Sequence, residues 1–462
     1  MAHGRLLGLD IGTSRIKALL IDENGHSIRV SAAETPFGLS AGGTEMSAGA
    51  LLAAAREAIT GLGDLTGVQG VGIASLGESG TFVRDDGPAD LPVIAWHDPR
   101  GAGTARRLVE VFGDDALVAW TGRPARPVST IAKIGWLAGS GADLSGVFVG
   151  VAGLLNWYLT GEFAQERSLA ATSGAYDPIA GRYLPQVFEA VGLGGVRFAP
   201  VSPAGTVHGK IHADGAHWSG LPAGIPVTLA GHDHPVGAVG AGAGVGRVTD
   251  SMGSGEPLLI ALPREVSIDG LRADLATVGG DTTVTAWPAA DAPAVLWEQI
   301  RPGLGLARLA ALLGHERGDL ERAAASVGPQ TPWSATRLRH LERPGDGDEE
   351  LFARLAAAGA ADDPGPTWAA VLDGYAELTS AAERALRTHS GTTEPTLVIG
   401  GGMRSARWMA AKQARSTHGL LLVDEAEATA RGAALLAGVA AGVWAGQGDF
   451  PRPAGQLLPG AR

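Results

Sequence analysis

Apolar and polar positions alternate in short blocks from the first residues onward. Residues 6–11 form an apolar run, 16–21 a second and 26–30 a third. Gly12-Thr13-Ser14 and Asp22-Glu23-Asn24-Gly25 separate them, and both are turn-forming stretches. Three β runs joined by short turns predict an antiparallel meander. At residue 48 the apolar spacing becomes helical and holds to residue 60, where Gly61 marks an end. Residues 68–74 and 92–96 read as buried strands, and 104–111 and 131–138 as helices. Residues 147–159 are apolar enough for a buried helix, ended by Thr160-Gly161-Glu162. Residues 227–230 read as a strand that enters a glycine-rich segment. Strands and helices in alternation predict an α/β architecture.

The pattern then begins again. Residues 247–255 repeat the motif of a strand followed by a glycine-containing turn, so a domain boundary is expected near residue 245, giving domains 1–245 and 246–462. A strand at 396–399 enters Gly400-Gly401-Gly402, followed by a helix at 406–418, a strand at 420–423 and a last helix at 429–441. Residues 261–391 carry the weakest pattern. Pro344-Gly345-Asp346-Gly347-Asp348 is a loop signal, and the Gly- and Pro-containing tail 446–462 reads as irregular.

Composition narrows the function classes. A chain of 462 residues, 45% hydrophobic and 18% charged, can bury a large core. Its length suits two domains of roughly 200 to 250 residues. The 70 glycines follow no three-residue period, which excludes collagen. With 36 basic against 48 acidic residues and no basic stripe, nucleic acid is not an expected partner. The absence of Cys excludes disulfides, thiolate metal sites and Cys nucleophiles. The N-terminus lacks a signal-peptide layout, so the cytoplasm is the expected compartment. The apolar stretch 426–446 is interrupted by Glu427 and Arg431, which favours a packed helix over a membrane span.

Several segments carry candidate chemistry. Asp10-Ile11-Gly12-Thr13-Ser14 makes a hairpin tip whose backbone N–H groups and hydroxyls suit phosphate oxygens. Its carboxylate suits a metal held through water, and Lys17 is within range of the same phosphates. The plain alternative is a polar β-turn. Asp250-Ser251-Met252-Gly253-Ser254-Gly255 repeats the chemistry in the second half. Gly400-Gly401-Gly402-Met403-Arg404-Ser405 is neither a G-x-G-x-x-G nor a P-loop, yet it offers a flat surface for a nucleobase or phosphate. It equally suits a tight strand-to-helix turn. Gly231-His232-Asp233-His234 has the look of a metal site, but ligands at i and i+2 on a loop rarely converge. Asp233 is read instead as a base for a substrate hydroxyl, with the histidines shaping the pocket. The alternative is an Asp that caps a helix. Gly77-Glu78-Ser79-Gly80 and Trp96-His97-Asp98-Pro99-Arg100 combine acceptors with a flat apolar face, which suits a sugar. An internal Asp98–Arg100 pairing is the alternative.

Taken in order, these segments resemble the FGGY family of carbohydrate kinases. GLDIGTSRIKALLID, IAWHDPRG, LLNWYLTGEF with ERSLAATSGAYD, AGHDHPVGAVGAG, DSMGSGE, VIGGGMRSARWMAAKQA and EATARGAALLAG follow the family's sequence of segments across residues 5–445. The resemblance implies two actin-like (ribonuclease-H-like) ATPase domains with an interdomain cleft holding ATP and Mg²⁺. It implies phosphorylation of a hydroxyl on a ketose, polyol or sugar acid, with a five- or six-carbon ketose preferred and Asp233 as general base. Asp10 becomes the metal-side carboxylate. Gly12, Thr13, Ser14, Lys17, Gly253 and Ser254 fall to the phosphates, and Gly401, Gly402 and Ser405 to adenosine. Gly77, Glu78, Trp96, Asp98 and His232 fall to the sugar. A small sugar or polyol is the expected partner, with no membrane, and a homodimer is among the expectations. The sequence departs from the family at Gly77-Glu78-Ser79-Gly80, which argues against xylulose. It departs again at Gly153, and at Leu341-Glu342-Arg343-Pro344, which stands for a Gly-Glu-Arg-x-Pro segment. The rival reading is an actin-like ATPase acting as chaperone or filament former.

Overall fold

The computed structural model describes residues 4–40, 42–298, 300–343, 345 and 348–460. The chain divides into two compact units. The first contains the residues up to Gly242 together with Val284–Ala294 and Glu427–Arg452. The second contains Ala243–Thr283, Val295–Ala426 and the tail from Pro453. The chain leaves the first unit close to residue 245 but returns to it twice, which a single cut does not describe.

In the first unit, β1 (Arg5–Ile11), β2 (Arg15–Asp22) and β3 (Ser27–Glu34) form the antiparallel meander. β4 (Val68–Ser75) lies parallel to β1 on its other side. With β5 (Gly209–Lys210) and β6 (Pro226–His232) the order is β5-β6-β4-β1-β2-β3. Leu6, Leu7, Leu9 and Ile11 are all buried. β1 is therefore covered on both faces, as a central parallel strand should be. α1 (Ala48–Thr60) starts where the Ser47 hydroxyl accepts from the Ala50 N–H. It buries Leu51, Ala55 and Ile59 in the core that also takes Leu154, Leu155 and Leu159 of α2 (Val151–Thr160). α3 (Asp233–Gly240) follows β6 directly.

The predicted helix over 147–159 is instead a strand, Val147–Gly150, followed by α2. The strand pairs antiparallel with Gly80–Arg84. Val147-Phe148-Val149 suits a strand paired on both sides, and a short apolar run does not reveal which period it follows. The strand expected at 92–96 is confined to Val93–Ile94.

A seven-stranded sheet accounts for most of the strands of the second unit, although residues 284–286 of its first edge strand and 293–294 of the next belong to the first unit. Its strands are β7 (Val248–Ser251), β8 (Leu258–Ala261), β9 (Asp281–Ala286), β10 (Pro293–Glu298), β11 (Thr396–Ile399), β12 (Leu420–Val423) and β13 (Gly455–Leu458). The order is β9-β10-β8-β7-β11-β12-β13. β13 lies in the tail read as irregular, and it pairs antiparallel with β12. Residues 261–391 are mostly helical: Ile268–Val278, Pro302–Leu313, Arg317–Ala325, Ala335–Glu342, Asp348–Ala357 and α4 (Pro364–Ser390). In the expected loop 344–348, Pro344, Asp346 and Gly347 lie outside the described residues. α5 (Ala406–Gln413) stops short of the predicted 418.

The last helix, α6 (Ala428–Ala440), belongs to the first unit. It packs on β1 and β4 through a row of glycines. A Cβ on Gly8 would sit 1.8 Å from the Ala430 carbonyl oxygen, and one on Gly72 1.9 Å from that of Ala433. Glycine is required there because helix backbone meets strand backbone. Among the described residues no helix is long and apolar enough to cross a membrane.

Candidate active site

Three parallel strands end in one row. Ile11 of β1 is level with Ser75 of β4, and Ser75 is level with His232 of β6. Asp10, Glu78 and Asp233 therefore emerge at the carboxyl edge of β1, β4 and β6, where open α/β sheets bind their ligands.

Asp10 has a buried Oδ1 with no hydrogen-bond partner among the described residues. Burial pushes its carboxyl up to about 7, the charge of Asp233 adds to this, and Lys17 opposes it. Asp233 opens α3 and accepts from the His234 N–H at 2.7 Å. Its Oδ1 lies 3.2 Å from His232 Nε2 and 3.9 Å from His234 Nε2. Burial holds the His232 imidazole below its ordinary pKa, which favours the neutral ring. Among the described residues no group of three His, Cys, Asp or Glu forms a metal cage. The helix-capping alternative for Asp233 does not hold, because His232 is the cap residue of α3 and Asp233 its first helical residue, with a partly exposed carboxylate, at 27%.

The loop before Asp233 is anchored from below. Gly231 has φ +124°, and a Cβ there would meet Ser168 Oγ at 2.6 Å. The His232 N–H donates to Ser168 Oγ at 2.8 Å, and that hydroxyl donates to Glu166. Glu166 also accepts from the N–H groups of Ser168 and Leu169, at 2.7 and 3.2 Å. Burial raises its carboxyl to about 7. Reading the sequence residue by residue gave Glu166 no role. The sequence marks it only as the acidic residue that opens the segment ERSLAATSGAYD.

Beyond the end of β4, Glu78 is the single non-glycine residue with positive φ among the described residues, at +61°. Gly77 packs on Thr172, and the Glu78 N–H donates to Thr172 Oγ1 at 3.1 Å. Arg123 Nη1 lies 2.9 Å from Glu78 Oε1. Trp96 is partly buried, and its Nε1 donates to Thr13 Oγ1 at 2.8 Å. Lys133, 3% exposed, donates to the Trp96 carbonyl at 3.1 Å. Burial lowers its pKa to about 8 against the pull of Glu78 and Asp98. Asp98 follows the internal alternative. It is buried and accepts from Arg100 N, Arg100 Nε and Thr44 N at 3.0, 2.9 and 2.7 Å. Burial alone would raise its carboxyl, but these bonds hold it below the usual range. Asp98 thus braces the Trp96 loop. Arg123 and Lys133 escaped the sequence reading because neither sits in a glycine- or carboxylate-marked turn.

At the hairpin tip the Gly12 N–H donates to the Arg15 carbonyl at 3.0 Å, and Thr13 and Ser14 are exposed. Lys17 is paired with Glu427, the residue before α6, at 2.6 Å.

In the second unit two candidate turns meet. A Cβ on Gly400, φ +97°, would lie 2.6 Å from the Met252 carbonyl oxygen, and the Gly402 N–H donates to that oxygen at 3.0 Å. Gly253, Ser254 and Gly401 are exposed, whereas Gly402 and Ser405 are buried. Ser405 caps α5 through Trp408 N at 3.2 Å and donates to Glu321 at 2.6 Å. Its hydroxyl is thus engaged within the protein. Beneath these turns Lys412 Nζ lies 2.5 Å from both Asp250 and Glu256. Burial raises Glu256 to about 8.

The N-terminal domain of the FGGY family of carbohydrate kinases matches residues 5–240, and the chain belongs to that family. It is 27% identical to an L-fuculokinase of Salmonella typhi, over 98% of this chain and 94% of that one. It is 27% identical to an autoinducer-2 kinase of Yersinia enterocolitica over 51% of this chain and 47% of that one. The fold is similar to that of xylulose kinase from Rhodospirillum rubrum, with a TM-score of 0.81, 20% identity and coverage of 99% and 94%. The protein is thus a carbohydrate kinase with the family's actin-like fold.

Proposed function

We propose that this kinase transfers the γ-phosphoryl group of ATP to a hydroxyl of a small ketose, with Asp233 as general base. The observation that carries this reading is the row formed by Asp10, Glu78 and Asp233 at the ends of three parallel strands. The attacking hydroxyl oxygen forms the new P–O bond as the bond to the ADP oxygen breaks. Its proton passes to the Asp233 carboxylate. Neutral His232, 3.2 Å from Asp233, orients that carboxylate and the substrate oxygen. Thr13 and Ser14 offer donors to phosphate oxygens, as do Gly253 and Ser254. The exposed Gly401 leaves room for a base.

Mg²⁺ fits the donor set of the first unit. Asp10 carries a buried, unpartnered oxygen and a carboxyl raised by burial and, next, by the neighbouring charge of Asp233. A hard cation that keeps most of its waters suits such a site. When bound, Mg²⁺ offsets phosphate charge, and Asp10 would hold it through water.

The L-fuculokinase relative makes a six-carbon ketose the first substrate to test. ATP consumption is measured over pentuloses, hexuloses, polyols and sugar acids with wild type and Asp233→Ala. The expected result is sugar-dependent turnover that Asp233→Ala loses by at least about a hundredfold while ATP still binds. Retained turnover in Asp233→Ala removes that residue from its role.

A further inference from the structure

We propose that Arg123 contacts the substrate and, paired with Glu78, selects uncharged polyhydroxy compounds by gripping two neighbouring hydroxyls. This inference rests on the sugar-kinase reading above and deepens it.

Glu78 holds a left-handed backbone conformation that a non-glycine residue adopts only when its surroundings dictate it. Those surroundings are Thr172 and Arg123. Thr172 accepts the Glu78 N–H through its hydroxyl, and its carbonyl accepts from Arg123 Nη1 at 3.3 Å. One residue thus braces both members of the pair. Arg123 is itself delivered by a fixed turn. The helix Asp114–Thr121 ends at Gly122, φ +77°, whose carbonyl accepts from Val284 N at 2.9 Å. Thr121 Oγ1 then donates to the Arg123 carbonyl at 3.0 Å.

The guanidinium is only partly used. Both of its hydrogen bonds named above run through Nη1. Its Nε is buried with no partner among the described residues. A fork with an unused donor beside a carboxylate offers one donor and one acceptor side by side, the pattern that two adjacent hydroxyls complement.

Charge identifies the ligand class. Glu45, Glu78 and Asp98 stand against Arg100, Arg123 and Lys133, and Arg123 is already neutralised by Glu78. A carboxylate entering here meets the like charge of Glu78 beside the Arg123 fork, whereas hydroxyls bind the pair without that repulsion. The geometry favours ketoses and polyols over sugar acids.

Steady-state kinetics at saturating MgATP test this, with L-fuculose, D-xylulose and D-gluconate as probes. Arg123→Ala should raise the KM of the better ketose roughly tenfold to a hundredfold while kcat falls less, and Arg123→Lys should recover part of the loss. The KM for ATP should move by less than about twofold. An unchanged sugar KM in a folded Arg123→Ala overturns the proposal. If the unpaired Glu78 prevents folding of that variant, the double variant Glu78→Ala/Arg123→Ala removes both charges and must show the raised KM. A wild-type kcat/KM for D-gluconate comparable to that of the ketose also overturns it. Failure of the base assignment shows separately, as turnover retained by Asp233→Ala with every sugar.

Discussion

The indole Nε1 of Trp96 donates to Thr13 Oγ1 at 2.8 Å. This bond ties the Trp96 loop to the tip of the first hairpin. It uses one lone pair of the Thr13 hydroxyl and leaves the O–H itself free to point at an acceptor. Thr13 is exposed at the tip, and under the proposed function a phosphate oxygen is that acceptor. Trp96→Phe keeps an aromatic face and deletes the donor. It should raise the KM for ATP and for sugar together, each by about fivefold, the equivalent of roughly 1 kcal/mol. A change in the sugar KM alone would leave the bond without a role at the phosphate tip.

Asp10 makes stability depend on pH in a particular direction. Its carboxyl titrates at about 7 when folded, against 3.8 for the unperturbed group. Between those values the folded protein binds more protons than the unfolded chain, so stability falls as pH rises through the window. Asp10→Asn removes this contribution. The variant should gain stability over wild type at pH 8 and gain little at pH 4, measured by denaturant unfolding without nucleotide. Glu166, raised to about 7, and Glu256, raised to about 8, act with the same sign, so a shallower slope should remain. Mg²⁺ with a nucleotide should stabilise wild type more at pH 8 than at pH 6, because the ionised carboxylate is the form a cation favours. A slope identical in both proteins would contradict the raised Asp10.

Much of the first unit was legible because its signals are local. Gly12-Thr13-Ser14 and Asp22-Glu23-Asn24-Gly25 mark turns, and α1 is bounded by Ser47 and Gly61, so β1 to β3 and α1 follow from neighbouring residues. The strand ends that bring Asp10, Glu78 and Asp233 into one row were visible as apolar runs leading into polar turns. Other features depend on partners distant in sequence. β13 exists because β12 offers an edge, and Val147–Gly150 because Gly80–Arg84 does. Several helices between 268 and 357 bury narrow stripes, with Leu320 and Ala324 alone buried in Arg317–Ala325, too few to announce a period. Arg123 and Lys133 reach the site through the fold, and a lone basic residue in a sequence does not reveal which carboxylate it will meet.

Lys412 holds two buried carboxylates beneath the second unit's glycine turns. Its Nζ is 2.5 Å from Asp250 and from Glu256, and Thr379 Oγ1 accepts from it at 2.9 Å. Lys412→Met leaves both acids buried without their cation, which should cost about 3 to 5 kcal/mol. The triple variant Lys412→Met/Asp250→Asn/Glu256→Gln removes the charges with the lysine and should recover more than half of that loss. Denaturant unfolding followed by tryptophan fluorescence measures both. Equal losses in the two variants would mean that packing at Lys412, and not charge, sets the cost.

Gly8 tests how closely α6 must approach the first sheet. A methyl group at this position would lie 1.8 Å from the Ala430 carbonyl oxygen and 2.7 Å from the Ala434 nitrogen. Both are backbone atoms of α6, so no side-chain rotation relieves the clash and the helix itself must shift. Gly8→Ala should therefore destabilise by about 3 kcal/mol or more. The shift would also move Glu427, whose carboxylate pairs with Lys17 at 2.6 Å just past the hairpin tip, so turnover should fall along with stability. Gly49 in α1 is the control, because nothing lies within 4 Å of the Cβ position there. Gly49→Ala should be stabilising by roughly 0.5 to 1 kcal/mol, since alanine loses less conformational freedom in a helix. Thermal unfolding of the two variants separates the effects. Wild-type stability in Gly8→Ala would contradict the close approach of α6 to β1.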